Sequence, residues 1–532
     1  TDDQRYVINQ ILKSEHDKFL IHGVTGSGKT QVYISLIENY LKKGKTAIIL
    51  VPEISLTPQM LGIFRAKFGD KVGVLHSKLN PGERHDEWQR IRKGESTVVL
   101  GPRSAIFAPI KNIGIIIIDE EHDQSYISES NPRYFTVDIA KFRAKYNGAK
   151  SVLGSATPSV ETYKAAEEDG EYILLEMPNR INKSELPEIE IIDMRIERKQ
   201  GNTTLLSKPL VAAMLEALKR KEQIILFLNR RGYSSYISCQ DCGYIAKCPF
   251  CDVSLTYHRY PEMLSCHYCG AQYKTINKCP ECGKTNLKSG RIGTEQVCDL
   301  LKKVVPDARV LRLDNDTTTK KDSYNKILSA FNRKEADILV GTQMVVKGHD
   351  FPDVTLVGIL DADISLYVSN YRANEKTFQL ITQVAGRAGR EQKKGKVYLQ
   401  TLNPAHPLYA VARNYEYKKF YFREKTIRKN AYFPPYSRII KIMCTSEKEY
   451  IAANKSRIIF KQINDALEGK PGVIRIKHMY SSIKKLNNKY RYQVMIFIVE
   501  EEANKYMQTI YDIVNKNSTG DASIFIEINP QD

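Results

Sequence analysis

Eight of the ten cysteines fall within 44 residues, from Cys239 to Cys282. They form four Cys-x-x-Cys pairs: 239/242, 248/251, 266/269 and 279/282. Each pair can place two thiolates on one ion, so eight thiolates make two tetrahedral four-cysteine zinc sites. Closed sites of this kind leave no position for water, and their role is structural. The first two pairs are separated by five residues, tight for wrapping one ion, and the inner two by 14, close to zinc-ribbon spacing. That favours a nested scheme, with Cys248, Cys251, Cys266 and Cys269 on one Zn²⁺ and Cys239, Cys242, Cys279 and Cys282 on the other. An interleaved scheme stays open on steric grounds. With no secretory signal, the thiols belong in a reducing compartment, where they bind metal more readily than they form disulfides. Cys298 and Cys444 read as packed thiols.

A second chemistry lies upstream in GVTGSGKT, Gly23–Thr30. Gly23, Val24, Thr25, Gly26, Ser27 and Gly28 form a loop whose backbone N–H groups can turn toward phosphate oxygens of ATP. Lys29 reaches the terminal phosphates, and the Thr30 hydroxyl can hold Mg²⁺. Asp119, Glu120, Glu121 and His122 close an apolar run. Three adjacent carboxylates at a strand end are costly unless a cation or a reaction needs them. Asp119 is placed to bind Mg²⁺ through water, Glu120 to polarise the attacking water, and His122 to couple the site to a neighbouring element. GSATP supplies Ser155 and Thr157 as a relay. In QVAGRAGR, Gln383–Arg390, Arg387 and Arg390 share a face if the segment is helical and can neutralise charge on a transferring phosphoryl group. In GTQMVVKGHDFP, Thr342 and Lys347 suit backbone phosphates of nucleic acid.

These residues need strands to hold them. KFLIHG leads into the glycine loop, and Tyr33, Leu36, Ile37, Tyr40 and Leu41 then follow a one-faced helical pattern. Buried Ile/Val/Leu runs follow at Thr46–Pro52, Ser96–Gly101, Ile115–Asp119 and Ser151–Gly154. This is the pattern of a parallel sheet covered on both faces. After the polar, linker-like DMRIERKQGNTT a second set occupies Gln223–Asn229, Arg309–Asp314, Ala336–Gln343, Val354–Asp363 and Lys396–Thr401. It has no phosphate loop of its own, so it serves the first set's nucleotide across a cleft. The expected class is α/β: lobe one over 1–200, and lobe two over 201–238 and 287–428. The cysteine insertion, 239–286, is a rigid projection from lobe two. A small α+β domain follows over 429–532, with strands near IIKIMCT, YQVMIFIVE and ASIFIEINP around the helix ANKSRIIFKQINDAL. Its basic, tyrosine-bearing Lys477–Gln493 reads as a DNA contact or a solvated hairpin.

The chain has 532 residues and a formal net charge of +19, a field that favours a polyanion, usually nucleic acid. No apolar run approaches the ~20 residues that span a bilayer, so no membrane partner is expected. The chain begins at Thr1 just ahead of a working motif, which suggests a fragment.

GVTGSGKT, DEEH, GSATP and QVAGRAGR, in this order, resemble the motifs of superfamily 2 helicases. The eight-cysteine block, GTQMVVKGHDFPDV and AYFPPYSRI resemble more closely the PriA family of bacterial primosomal replication-restart DNA helicases. The resemblance implies two RecA-like lobes, ATP, Mg²⁺ and two Zn²⁺ as cofactors, and the nested zinc scheme. It implies DNA-stimulated ATP hydrolysis and 3′→5′ unwinding at stalled or collapsed forks. The implied partners are forked and single-stranded DNA, single-strand DNA-binding protein, primosomal loading proteins and the replicative helicase, in the cytoplasm at the nucleoid. The family's N-terminal DNA-binding region has no counterpart here. Gln4 would read adenine, Gln383 would join the ATP site, and Tyr126, Arg133, Tyr134 and Phe135 would form an aromatic-rich loop that couples DNA contact to hydrolysis. Two alternatives are weighed: an assembly scaffold in which ATP switching outweighs unwinding, and an RNA helicase.

Overall fold

The computed structural model describes residues 1–52, 58–77, 79–128, 133–181, 185–229, 236–250, 253–259, 262–266, 268–288, 293–314, 317–318, 323–346, 351–389 and 394–530. Two parallel sheets organise its first four-fifths. The first has seven strands in the order Val72–Val74, Val98–Gly101, Thr46–Leu50, Ile113–Asp119, Lys150–Ser155, Lys18–Gly23 and Ile173–Met177. All its pairings are parallel. Helices on both faces leave its central strands no solvent side, which is why Ile113–Ile118 is buried at every position.

The second sheet is also all parallel, with six strands. Its order is Val310–Leu313, Ile338–Gly341, Gln223–Leu228, Val354–Leu360, Lys396–Thr401 and Glu188–Asp193. The last of these lies ahead of the 200/201 boundary read from the sequence, yet it pairs with Lys396–Thr401 throughout. The stretch read as a linker begins with the helix Met194–Lys199, started by Asp193, whose carboxylate accepts from the Arg195 N–H.

The C-terminal domain is a four-stranded antiparallel sheet ordered Val473–Leu486, Lys489–Val499, Ser437–Ser446 and Ser523–Ile528. Helices Glu449–Leu467 and Glu500–Lys516 cover it. Lys477–Gln493 is a hairpin that turns at Asn487 and Asn488, both at positive φ.

The cysteine insertion, read from sequence as a rigid projection from lobe two, packs on two neighbours. Cys248, Leu264, Cys266 and Tyr268 share an apolar core with Tyr371 of lobe two and with Phe433, Ile439, Met495 and Phe497 of the C-terminal domain. The Tyr371 N–H donates to the Tyr268 hydroxyl at 3.3 Å. A segment this small has too little core of its own, and borrowing a neighbour's is one remedy. No helix among the described residues is long and apolar enough to cross a membrane.

Candidate active site and metal centre

In a parallel sheet, side chains at the C-terminal strand ends line one edge, where ligands bind. Three adjacent strands of the first sheet end in chemistry there. Lys18–Gly23 opens the glycine loop, Ile113–Asp119 ends in the acidic run, and Lys150–Ser155 ends in GSATP. Register places Asp119 beside Gly154, and His22 beside Ser155.

The glycine loop crosses into the helix Lys29–Lys42, whose N-terminus has no side-chain cap. Its first N–H groups are therefore available to anionic oxygens. Gly26 and Gly28 both hold φ near +83°, where a side chain would be strained. Space matters as well at Gly28, where a Cβ would overlap the Gln4 amide. Gln4 Nε2 donates to the Gly28 carbonyl at 3.3 Å. Lys29 is buried, and its ammonium donates to the Gly23 carbonyl at 2.7 Å.

Asp119 is held from two sides. The Tyr33 hydroxyl donates to Asp119 Oδ1 at 2.9 Å, and the Tyr126 hydroxyl donates to the Asp119 carbonyl at 2.6 Å. Burial, and then the neighbouring Glu120 charge, push the Asp119 carboxyl up to about 6. Glu120 follows at φ +47°, a strained turn, with its Oε2 3.6 Å from His122 Nδ1. Glu121 departs from the expectation for the acidic run. It turns inward and caps the helix Val160–Glu167, accepting from the Ser159 N–H at 2.7 Å and the Thr162 hydroxyl at 3.0 Å. Burial lifts its carboxyl to about 7. The protein's own donors, not a cation, thus stabilise one of the three carboxylates.

His122 links the lobes. Its Nδ1 lies 2.7 Å from Ser155 Oγ, and its Nε2 lies 2.8 Å from Gln383 Nε2 on the lobe-two helix Ala373–Ala385. One arrangement satisfies both contacts: the amide donates to Nε2, and the Nδ1–H donates to Ser155. Ser155 Oγ also accepts from the Thr157 N–H at 2.9 Å. One turn earlier on the same helix, the Gln379 amide donates to the Thr157 carbonyl at 3.3 Å. Gln383, placed at the ATP by sequence reasoning, meets the acidic motif here. The helix stops at Ala385, so Arg387 lies in the following turn, not on a helical face. Its neighbour Gly386 packs directly on Thr25 of the glycine loop.

Seven of the eight block cysteines are described, in two groups. The thiols of Cys239, Cys242, Cys279 and Cys282 lie within 4.8 Å of one another, as do those of Cys248, Cys266 and Cys269. Closest sulfur pairs are 3.4 and 3.6 Å apart in the first group and 3.5 Å in the second. Sulfurs at ~2.3 Å from one tetrahedral zinc stand about 3.8 Å apart, so the groups fit the ion. The grouping is the nested one. Cys251 lies outside the described residues, as do Lys347 and Arg390.

Residues 1–166 match the DEAD/DEAH box helicase family, 248–274 the PriA DNA helicase Cys-rich region (CRR) domain, and 285–392 the helicase conserved C-terminal domain. The replication restart protein PriA of Haemophilus influenzae is 37% identical over 99% of this chain and 72% of its own length. The chain belongs to the PriA family. The Rickettsia felis PriA is 37% identical over 96% of this chain and 78% of its own. The Bacillus subtilis PriA is 45% identical over 94% of this chain, which spans 62% of that relative's length.

The PriA-like aromatic segment needs correction. Tyr126 is fully buried in the lobe-one core, so its ring cannot stack on a base; it holds Asp119 instead. Arg133 pairs with Glu527 and lies over the Phe525 ring, both on the last strand of the C-terminal domain. Tyr134 packs edge-on against Phe107, and Phe135 is 37% exposed. Thr342 stands part-exposed at the end of Ile338–Gly341. Of the two remaining thiols, Cys444 is buried in the C-terminal core and Cys298 packs against the lobe-two core.

Two site residues escaped sequence reasoning. Tyr33 reads only as one apolar position of a helix, and nothing in its spacing signals the bond to Asp119. Gly154 reads as a strand-end glycine; its reason is that a Cβ there would overlap the Tyr33 hydroxyl.

Proposed function

We propose that this chain is an ATP-driven DNA motor of the replication-restart type, unwinding 3′→5′ at stalled or collapsed forks. ATP phosphates lie against the Gly23–Thr30 loop and the N-terminus of the helix Lys29–Lys42, with Lys29 at the terminal phosphates. Thr30 and Asp119 offer hard oxygen donors suited to Mg²⁺, which when bound neutralises phosphate charge. Glu120 orients the attacking water, and Arg387 and Arg390 approach from lobe two to stabilise the charge that develops on transfer.

The observation that carries this reading is the path from Gln383 through His122 to Ser155 and Thr157. It joins the arginine-bearing segment of lobe two to the acidic strand end of lobe one, so lobe movement and hydrolysis share contacts. The cysteine groups support two structural Zn²⁺, each cross-linking a segment that lacks its own core. Thr342 and Lys347 are assigned to DNA phosphates. Single-strand DNA-binding protein, loading proteins and the replicative helicase are the partners that family membership supports, at the nucleoid.

The test is steady-state ATP turnover with and without forked DNA, alongside zinc content. The expected result is about two zinc per chain and strong stimulation by DNA over RNA, with Lys29→Ala abolishing turnover. Turnover indifferent to DNA would overturn the motor reading.

A further inference from the structure

The chain passes from the first sheet to the second once, between Met177 and Glu188. That crossing runs along the glycine loop and is bonded to three successive loop residues. The Val24 N–H donates to the Met177 carbonyl at 3.1 Å, Arg180 Nε to the Thr25 carbonyl at 3.1 Å, and the Ile181 N–H to the Gly26 carbonyl at 3.1 Å. Ile181 presses on Gly28, where a Cβ would come within 2.6 Å of its Cδ1. Arg180 lies along Gly26 at ordinary contact distance. Asn179 donates to Asp3 at 3.0 Å, one residue from the Gln4 that borders the same loop.

Arg180 also reaches lobe two. Its Nη1 donates to the Gly389 carbonyl at 3.5 Å and to the Glu185 carbonyl at 3.3 Å. Gly389 lies in the arginine segment, two residues after Arg387, and its N–H is tied to the Val354 carbonyl at the start of a lobe-two strand. A single guanidinium therefore spans the phosphate loop of one lobe and the arginine turn of the other. Bonds from a charged donor are stronger than neutral ones, and the planar fork fixes their directions.

We propose that the Met177–Ile181 crossing is a clasp on the phosphate loop and that Arg180 is a positioning residue for hydrolysis. It sets the loop's carbonyl side against the arginine turn, so lobe orientation is communicated to the phosphates through the loop backbone. Arg180 acts through Thr25 and Gly389 and need not touch nucleotide. The inference rests on the motor reading above.

The experiment measures the ratio of ATP turnover with and without a poly-dT oligonucleotide, in this chain and in Arg180→Ala, Arg180→Gln and Arg180→Lys. The ratio is blind to the active fraction, because misfolded protein lowers both terms alike. Arg180→Ala is expected to lower the ratio about tenfold, the effect of losing a charged hydrogen bond in a positioned site. Arg180→Lys, which keeps one charged donor for Thr25, should recover part of it. Arg180→Gln reads the same contact should the alanine variant fail to fold. An unchanged ratio in Arg180→Ala and Arg180→Gln would overturn the clasp while leaving the motor reading intact. A ratio of one in the unaltered chain would overturn the motor reading, and the clasp with it.

Discussion

Beside the apolar packing of Tyr163 on Tyr417 and Tyr421, two sets of polar contacts between the lobes are built in opposite ways. At the nucleotide edge the contacts are thin: Gln383 on His122, Gln379 on a carbonyl, Gly386 against Thr25, and the outlying bond of Arg180. Away from that edge lies a buried ionic hub. Arg428, wholly buried on the helix Tyr417–Asn430, pairs with Glu375 at 2.7 Å, Glu424 at 3.1 Å and Glu161 at 3.3 Å. Arg372 pairs with Glu161 at 2.6 Å, and Glu375 also accepts from the Val160 N–H at 2.8 Å. Glu161 and Val160 belong to lobe one, Arg372 and Glu375 to lobe two, and Arg428 to the helix that leads into the C-terminal domain. Burial works against ionisation of Glu161, but Arg372 and Arg428 outweigh it and hold its carboxyl below the usual range. A buried charge network is hard to open, since each member loses its partner in a medium that cannot replace it. Single hydrogen bonds at a part-exposed edge reform in water at little cost. The difference teaches that, among these polar contacts, the hub anchors the lobes and the nucleotide edge only latches them.

Breaking the hub should have the largest effect. Arg428→Ala strands Glu375 and Glu424 in the interior, and removing one partner of a buried pair costs about 3–5 kcal/mol. Denaturant unfolding monitored by circular dichroism would measure it. A loss below about 1 kcal/mol would mean that the charges find other partners and the hub is no anchor.

A smaller effect is expected at the root of the latch. Gly154→Ala drives a methyl group into the Tyr33 hydroxyl. Overpacking of this kind costs about 1–3 kcal/mol, and here it also displaces the donor that orients Asp119. Tyr33→Phe removes the obstructing oxygen, so the double variant should be more stable than the two single losses predict. Simple additivity in that cycle would show that the contact is relieved elsewhere.

Legibility follows the same division. The strands that end in chemistry could be read because buried parallel strands are continuous apolar runs and each ligand motif sits at a strand end. The cysteine pairs were legible because metal geometry imposes spacing, and the thiols group as in the nested scheme that the spacing favours. The hub was not. Glu161, Glu375 and the i,i+4 pair of Glu424 and Arg428 lie on three helices and belong to no motif, and only folding brings residues as far apart as Glu161 and Arg428 together. Tyr126 misled for the converse reason: an aromatic beside basic residues resembles a stacking platform, but its hydroxyl is spent on the Asp119 carbonyl. Glu188–Asp193 was missed because it is an edge strand of alternating pattern, EIEIID, set beside polar sequence.

The latch itself should show the smallest change in stability and a large one in activity. Gln383→Ala removes one neutral hydrogen bond, worth about 0.5–1.5 kcal/mol, from a part-exposed site. The imidazole of His122 then loses the donor that fixes its tautomer, and the proton on Nδ1 is no longer held toward Ser155. DNA-stimulated turnover should fall about tenfold or more, since misplacing a positioned group by a fraction of an ångström has that effect. Gln383→Glu separates geometry from donor chemistry. A carboxylate keeps the reach but can only accept, so it forces a proton onto Nε2 and should impair coupling despite its similar size. Equal activity in the glutamate variant would show that the contact serves only to fill space. The latch would then differ from the hub in strength alone, and not in what it transmits.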